Sequence, residues 1–150
     1  MICETSVVKD DVKIGKNVFI GDFTLIREGV IIGDNVKIGS HCVVQPYAKI
    51  GDNTNIQSHC SITEYSHIGK NCFIAPFFNA PADNTIGEID KKIYVPNPAK
   101  IEDNCRIASN VFLKPGILIR KGTKIGMNSL VTKDTEENSL YYGSPAVKQK

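Results

Sequence analysis

Aliphatic residues return at every sixth position along most of this chain. One series runs Ile2, Val8, Ile14, Ile20, Ile26, Ile32, Ile38, Val44, Ile50, Ile56, Ile62, Ile68 and Ile74. A second runs Val95, Ile101, Ile107, Leu113, Ile119, Ile125 and Val131. A period of six matches neither the 3.6-residue repeat of a helix nor the plain alternation of a long strand. It predicts short strands joined by tight corners, each strand sending one aliphatic side chain into a shared core. That is the pattern of a β-solenoid, an all-β fold.

The other hexad positions carry the same reading. Four places after each aliphatic the residue is small or β-branched, as at Val18, Thr24, Val30, Val36, Cys42, Ala48, Thr54, Cys60, Ser66 and Cys72. Such a position has to fit inside a narrow prism. Three hexads make one coil, and Asn17, Asn35, Asn53 and Asn71 recur at that spacing. They fall where a corner requires φ > 0, which Asn and Gly tolerate best. Pro115-Gly116 is a type II turn signature at the same two hexad places. The two series amount to about six to seven coils, a stack of about 30 Å at the spacing of neighbouring strands. A prism this thin leaves flat outer surface for another subunit to cover.

One break interrupts the repeat. The step from Ile74 to Val95 spans three and a half hexads where one would keep register, so two and a half hexads are inserted. The expected division is therefore coils over 2–77, a loop over 78–94, coils over 95–133 and a tail over 134–150, all in a single domain. Structureless loops of that length are usually functional or disordered. Phe77, Phe78, Asp83 and Asn84 at its start favour an ordered loop that forms a substrate-binding site. Positions one coil apart stack, so Phe23, His41, His59 and Phe77 share one corner, from which the loop is expected to emerge. His59 would lie about one strand spacing below it, and Glu64 stands at the next corner of the same coil. Covered by a loop or a subunit, such groups become partly desolvated and shift their pKa values. The plainer readings are a stacked corner for His41 and His59, a solvated charge for Glu64, and a solvent-facing or contact residue for His67.

Composition adds two constraints. The net charge of +2 gives no argument for nucleic acid or a membrane surface as partner, and there is neither a signal peptide nor an apolar run long enough to span a bilayer. Of five Cys, Cys42, Cys60, Cys72 and Cys105 occupy the small inward place of the hexad. They read as buried reduced thiols, which makes a cytoplasmic location the expectation.

The hexads, the interrupting loop and the ending Val131-Thr132-Lys133-Asp134 … Tyr142-Gly143-Ser144-Pro145-Ala146 resemble the hexapeptide-repeat acyltransferase superfamily over essentially the whole chain. The resemblance implies a left-handed parallel β-helix that assembles as a homotrimer, with acyl-CoA bound between neighbouring subunits. The left hand comes from the resemblance alone, since parallel crossovers are otherwise right-handed. The segment Ile56-Gln57-Ser58-His59-Cys60-Ser61-Ile62-Thr63-Glu64, followed by Phe77-Phe78-Asn79, is most similar to nucleotide-amino-sugar N-acetyltransferases. Those enzymes acetylate an amino sugar attached to UDP or dTDP in surface-polysaccharide biosynthesis. On that resemblance Asn79 matches an Asn near the reacting amine and thioester. Glu64 matches an acidic position, where related enzymes that use a catalytic His place that residue. His59 falls where the nearest relatives commonly have Asn. Ala80-Pro81-Ala82-Asp83 departs from the Asn-Asp and Pro-Arg of those relatives, at residues that concern sugar recognition. Acetyl-CoA is the implied co-substrate, with no metal. Ala108 and Gly126 would let a pantetheine arm approach backbone amides, Lys133 would meet a CoA phosphate, and Gly143 and Pro145 lie in a segment that flanks the adenine end.

The implied chemistry needs few groups. A sugar amine attacks only when neutral, and the thioester carbonyl gains negative charge as it does so. Orientation lowers much of the barrier, Glu64 or His59 could accept the proton, and backbone N–H groups or Asn79 could stabilise the oxyanion. With the thiols facing inward, no covalent acyl-enzyme is expected. Three other readings are sugar or polyol O-acetylation on the same scaffold, a γ-carbonic-anhydrase-like metal enzyme, and a non-catalytic hexapeptide scaffold. For the metal enzyme, His41, His59 and His67 lack the paired His segment, and a separation of one full coil stacks two of them instead of converging all three.

Overall fold

The computed structural model describes residues 1–85 and 94–150 and contains strands, turns and corners but no helix among them. Nearly every strand is two residues long, with the first side chain pointing out and the second in. Strand pairing is parallel at a register of one coil, as in Ile20↔Ile38 and Ile38↔Ile56. The chain is a left-handed parallel β-helix with three flat faces. The first face holds seven strands, among them Leu25–Ile26, Val43–Val44, Ser61–Ile62, Asn79–Ala80 and Phe112–Leu113. The second holds six, including Lys49–Ile50, His67–Ile68, Lys100–Ile101 and Leu118–Ile119. The third holds eight and ends in Leu140–Gly143 and Ala146–Lys148, which pair antiparallel and close the top of the prism.

The core follows directly from the hexads. Ile20, Ile26, Ile38, Ile56, Ile62, Ile74, Ile107 and Ile119 are fully buried along its axis. Each such side chain contributes about 1.5–3 kcal/mol relative to exposure. The small inward positions tie the corners together. The Thr54 hydroxyl donates to Gly69 O at 2.8 Å and accepts from Cys72 N–H at 3.1 Å. Cys42, Cys60, Cys72 and Cys105 are buried and free, as their register implies. Hydrogen bonding from the thiol one coil away, and then burial, push Cys60 and Cys105 upward, while the same thiol–thiol bonds lower their partners Cys42 and Cys72. The first coil has no layer beneath it and leaves Ile2 exposed and Val8 half-buried.

Each of the three corners has its own column. Asn17, Asn35, Asn53, Asn71 and Asn104 line the corner between the second and third faces with φ of 55–60°. The Asn17 amide donates to Asn35 at 3.2 Å and Asn35 donates to Asn53 at 3.1 Å. Phe23, His41, His59 and Phe77 stack on the corner between the third and first faces, with ring centroids 4.9–5.2 Å apart. The remaining corner, between the first and second faces, carries Gly29, Tyr47, Tyr65 and Gly116 at its positive-φ position.

Two boundaries differ from the sequence reading. The coils run on to Ala80 and resume at Lys100, where 77 and 95 were expected. Phe78 is 2 % exposed, in the small inward slot, and Ala80 fills the aliphatic slot. The two sizes are exchanged, so the volume of that layer is kept while the hexad is disguised. Val95 keeps the six-residue phase with Ile101 yet is 77 % exposed. Pro96 and Pro98 follow it, and a residue without an N–H cannot donate to the ladder. The inserted length is nonetheless two and a half hexads, because Ile68 pairs with Ile101 where the unbroken repeat would pair it one coil on. The insertion therefore leaves one corner later than expected, above Glu64 and Tyr65 and away from the His59 column. Its central residues, 86–93, lie outside the described part of the structure.

Candidate active site

Thr63-Glu64-Tyr65-Ser66 forms the corner directly below the insertion. Tyr65 takes φ 57°, which turns the chain sharply and leaves Glu64 half-buried at the turn. The returning limb of the insertion meets it there: the Tyr94 hydroxyl donates a hydrogen bond to Glu64 Oε1. That bond, followed by burial and the Glu64 charge, pushes Tyr94 up to about 12. Tyr94 is thus a neutral donor that fixes the carboxylate from the far side of the insertion. The neck of the insertion is closed by the Asn97 N–H, which donates to Ala82 O at 2.8 Å. Gly116 lies against Asn97: a Cβ there would meet Asn97 Nδ2 at 2.6 Å.

Asp83 also adds to the negative field around Tyr94. Its Oδ1 accepts from the Thr85 N–H at 2.8 Å and the Thr85 hydroxyl at 2.5 Å, and these bonds hold its carboxyl below the ordinary range. Beside Glu64, the Thr63 hydroxyl is buried without a hydrogen-bond partner among the described residues. Buried polar groups are nearly always paired, so this hydroxyl is an exception among the described residues.

Asn79 stands on the first face, one strand above Ser61 and paired with both Ser61 and Phe112. It is half-buried, and its side-chain amide makes no hydrogen bond among the described residues. Glu64 is three residues beyond Ser61 along the strand direction, which puts the two groups roughly 10 Å apart.

The other expected residues divide among three places. Asn84 is exposed on the insertion. Phe78 is in the core and unavailable as a binding surface, because its slot points inward. Phe77 and His59 are exposed at the opposite edge of the first face, where the His59 ring is sandwiched between His41 and Phe77. Within one chain the structure does not bring His59 to Glu64. Ala108 and Gly126 occupy that same far corner. The side of Gly126 on which a Cβ would stand is filled by Tyr142, 2.8 Å away, so its lack of a side chain serves the packing of the tail. Lys133 follows the last strand of the first face. It shares an end groove of about 320 Å³ with Pro145, while the Gly143 N–H donates to Ser129 Oγ at 3.2 Å. His67 points outward on the second face, away from His41 and His59.

The sequence does not single out Tyr94. Its partner is set by how the insertion folds back, and the segment Tyr94-Val95-Pro96 reads there as the start of a coil. The Tyr47–Tyr65 pair is within reach of the sequence, since the two stand one coil apart and their rings stack at 5.2 Å.

Two family descriptions match the chain: bacterial transferase hexapeptide (six repeats) over residues 11–46, and hexapeptide repeat of succinyl-transferase over residues 98–133. A galactoside O-acetyltransferase of Lactococcus lactis is 37 % identical over 60 residues, which is 40 % of this chain and 26 % of that protein. The matched stretch spans about a quarter of the length of the curated relatives. Among solved structures, a perosamine N-acetyltransferase from Caulobacter crescentus in complex with CoA and GDP-perosamine superposes with a TM-score of 0.58 at 17 % identity. The match covers 99 % of this chain and 55 % of that one. The polysialic acid O-acetyltransferase OatWY gives 0.64 at 18 % identity, covering 97 % and 83 %. At these identities the likeness is one of fold. Among the described residues, no helix is long and apolar enough to cross a membrane. The repeat, the three-faced prism and both family matches make this chain a hexapeptide-repeat protein, with residues 11–46 and 98–133 matching repeats described from transferases.

Proposed function

We propose that the chain transfers an acetyl group from acetyl-CoA to the amino group of a nucleotide-linked amino sugar, by direct attack of the amine on the thioester. The observation that carries this reading is the Glu64 carboxylate, held at the corner below the insertion by the Tyr94 hydroxyl. Glu64 accepts the proton that the amine loses as the C–N bond forms. Tyr94 keeps one carboxylate oxygen engaged and leaves the other for the substrate. Asn79, whose amide donors are unengaged among the described residues, steadies the oxyanion as the thioester collapses and CoA thiolate departs. The thiols of Cys42, Cys60, Cys72 and Cys105 take no part, being enclosed in the prism. The perosamine enzyme, which binds CoA and a GDP-sugar, lends support through shared fold.

The candidate CoA contacts Ala108, Gly143 and Pro145 lie toward the far edge of the first face from Glu64, and Lys133 bridges the two at the end groove. A site divided this way is completed when the Glu64 corner of one copy meets the His59 corner of the next, as in a closed ring of three. Val7, Phe112 and Leu130 are exposed along the first face, and a second copy would cover them. A homotrimer working in the cytoplasm fits this arrangement.

O-acetylation of a sugar is the second reading, favoured by the galactoside O-acetyltransferase match. Following thiol release from acetyl-CoA with paired acceptors, identical except for an amine or a hydroxyl, separates the two. Turnover of the amine alone supports the first reading, and turnover of the hydroxyl alone replaces it.

A further inference from the structure

The corner that carries Glu64 opens on its other side into a groove of about 440 Å³, lined by Tyr47, Lys49, Tyr65, Ser66, His67 and Lys100. Its composition is unusual for this prism. Lys49, His67 and Lys100 are direct neighbours on three successive strands of the second face, all exposed. None of them forms an ion pair among the described residues, and no carboxylate lines the groove. The adjoining groove, which shares His67 and Lys100, does contain Glu102, Asp103 and Glu137. Two of these are engaged by backbone amides: Glu102 accepts from the Lys121 N–H at 2.8 Å and Asp103 from the Lys70 N–H at 2.7 Å. The row therefore sets two lysine cations about two strand spacings apart with the His67 ring between them.

An aromatic platform adjoins the row. Tyr47 and Tyr65 stack at 5.2 Å and 20° while remaining 49 % and 52 % exposed. Both take positive φ, at 61° and 57°. The equivalent corners below and above use Gly29 and Gly116, the residue such backbone prefers. Corner geometry alone thus favours glycine at these two places, and bulky side chains there are held against backbone preference. The lower ring rests on Gly29, whose Cβ would meet Tyr47 Cδ1 at 2.4 Å. On the upper side the next corner of this column is replaced by the insertion, and no further ring stacks on Tyr65 among the described residues.

We infer that this groove is a nucleoside-diphosphate subsite: the base lies on the Tyr65–Tyr47 platform and the two phosphates lie along Lys49, His67 and Lys100. Aromatic faces stack any base, and two lysine cations opposite a pyrophosphate, with an imidazole N–H donor between them, supply the charge match. The assignment rests on the acyltransferase reading, which has two sources of this chemistry. One is the nucleotide of the acceptor and the other is the ADP portion of CoA. Glu64 precedes Tyr65, on the side of the platform away from the lysines, so the subsite adjoins the corner that carries the proposed base.

The test is calorimetric titration of the full chain with UDP, dTDP, ADP and CoA, with no acetyl donor present. Tyr65→Gly removes the ring and suits the corner backbone, so loss of fold cannot account for its effect; a second variant combines Lys49→Ala with Lys100→Ala. Weakening of UDP or dTDP by about tenfold or more in both variants, with CoA unchanged, supports the subsite and assigns it to the acceptor. Weakening of ADP and CoA, with UDP and dTDP unchanged, supports it and assigns it to the acyl donor. If no probe binds, or all bind the variants as they bind the parent, the inference is overturned. Binding is read without turnover, so the subsite can fail while thiol release from acetyl-CoA persists, and the acyltransferase reading can fail while the nucleotide still binds.

Discussion

Tyr94 reaches back from the far limb of the insertion and donates its hydroxyl to Glu64, one coil below. This contact joins the most irregular part of the chain to one corner of a highly regular prism. It also keeps a phenol protonated well beyond its ordinary range.

Ultraviolet titration of the tyrosines checks that contact. One of the five Tyr is expected to ionise near 12, and Glu64→Gln should bring it back toward about 10, its ordinary value. The sign follows from the raised pKa. The carboxylate favours the neutral phenol, so the contribution to stability is complete below about pH 10 and is lost as pH rises through about 12. A titration unchanged by Glu64→Gln would show that the two groups are not paired in solution.

The exchanged sizes at Phe78 and Ala80 make a second prediction. Phe78→Ala should cost about 3–5 kcal/mol in chemical denaturation. Ala80→Ile alone should cost about 1–3 kcal/mol by overpacking. The double variant restores the regular hexad, and its cost should fall short of the sum of the two. Simple additivity would mean the two side chains do not share one layer.

Replacing residues 81–99 with Lys-Pro-Gly-Ile, the sequence of the Lys114–Ile117 corner on the same column, should leave the prism folded. The substitution restores the one-coil register between Ile68 and Ile101. Acetyl transfer is expected to disappear while the thermal transition stays cooperative. Retained turnover would remove the insertion from the site.

Mixed assemblies test the divided site. Glu64→Gln disables one edge, and Ala108→Trp obstructs the other by placing a large ring at a half-buried corner. Each alone should be strongly impaired. Random co-assembly should restore about a quarter of the sites if each is built from two copies in a closed ring. No recovery would place the whole site within a single chain.

The regular part of this protein is open to reading because each hexad position faces one physical demand. Isoleucine in the core, a small residue behind it and asparagine at the turn are separate constraints that agree. That is why the parallel register, the inward thiols and the length of the insertion follow from the residues alone. The reading fails where one demand is met in disguise or by accident. Phe78 and Ala80 preserve volume while breaking the pattern, and Val95 matches the pattern while two prolines deny it a ladder. A boundary displaced by half a hexad moves the insertion to a different corner. Glu64 is legible, yet its neighbour across the loop is not, because Tyr94 acquires meaning only once the insertion has turned back. The Lys49–His67–Lys100 row is hidden for a related reason: the insertion carries Lys100 well beyond the one-coil spacing from His67, so the two share no visible column.

The most direct measurement is thiol release from acetyl-CoA with a UDP- or dTDP-linked amino sugar as acceptor, comparing the parent with Glu64→Gln. The expected result is turnover of the amine but not of its hydroxyl counterpart, and a fall in kcat of about a hundredfold in the variant. Unimpaired turnover in Glu64→Gln, or release with the hydroxyl acceptor alone, would contradict proton abstraction from an amine at this corner.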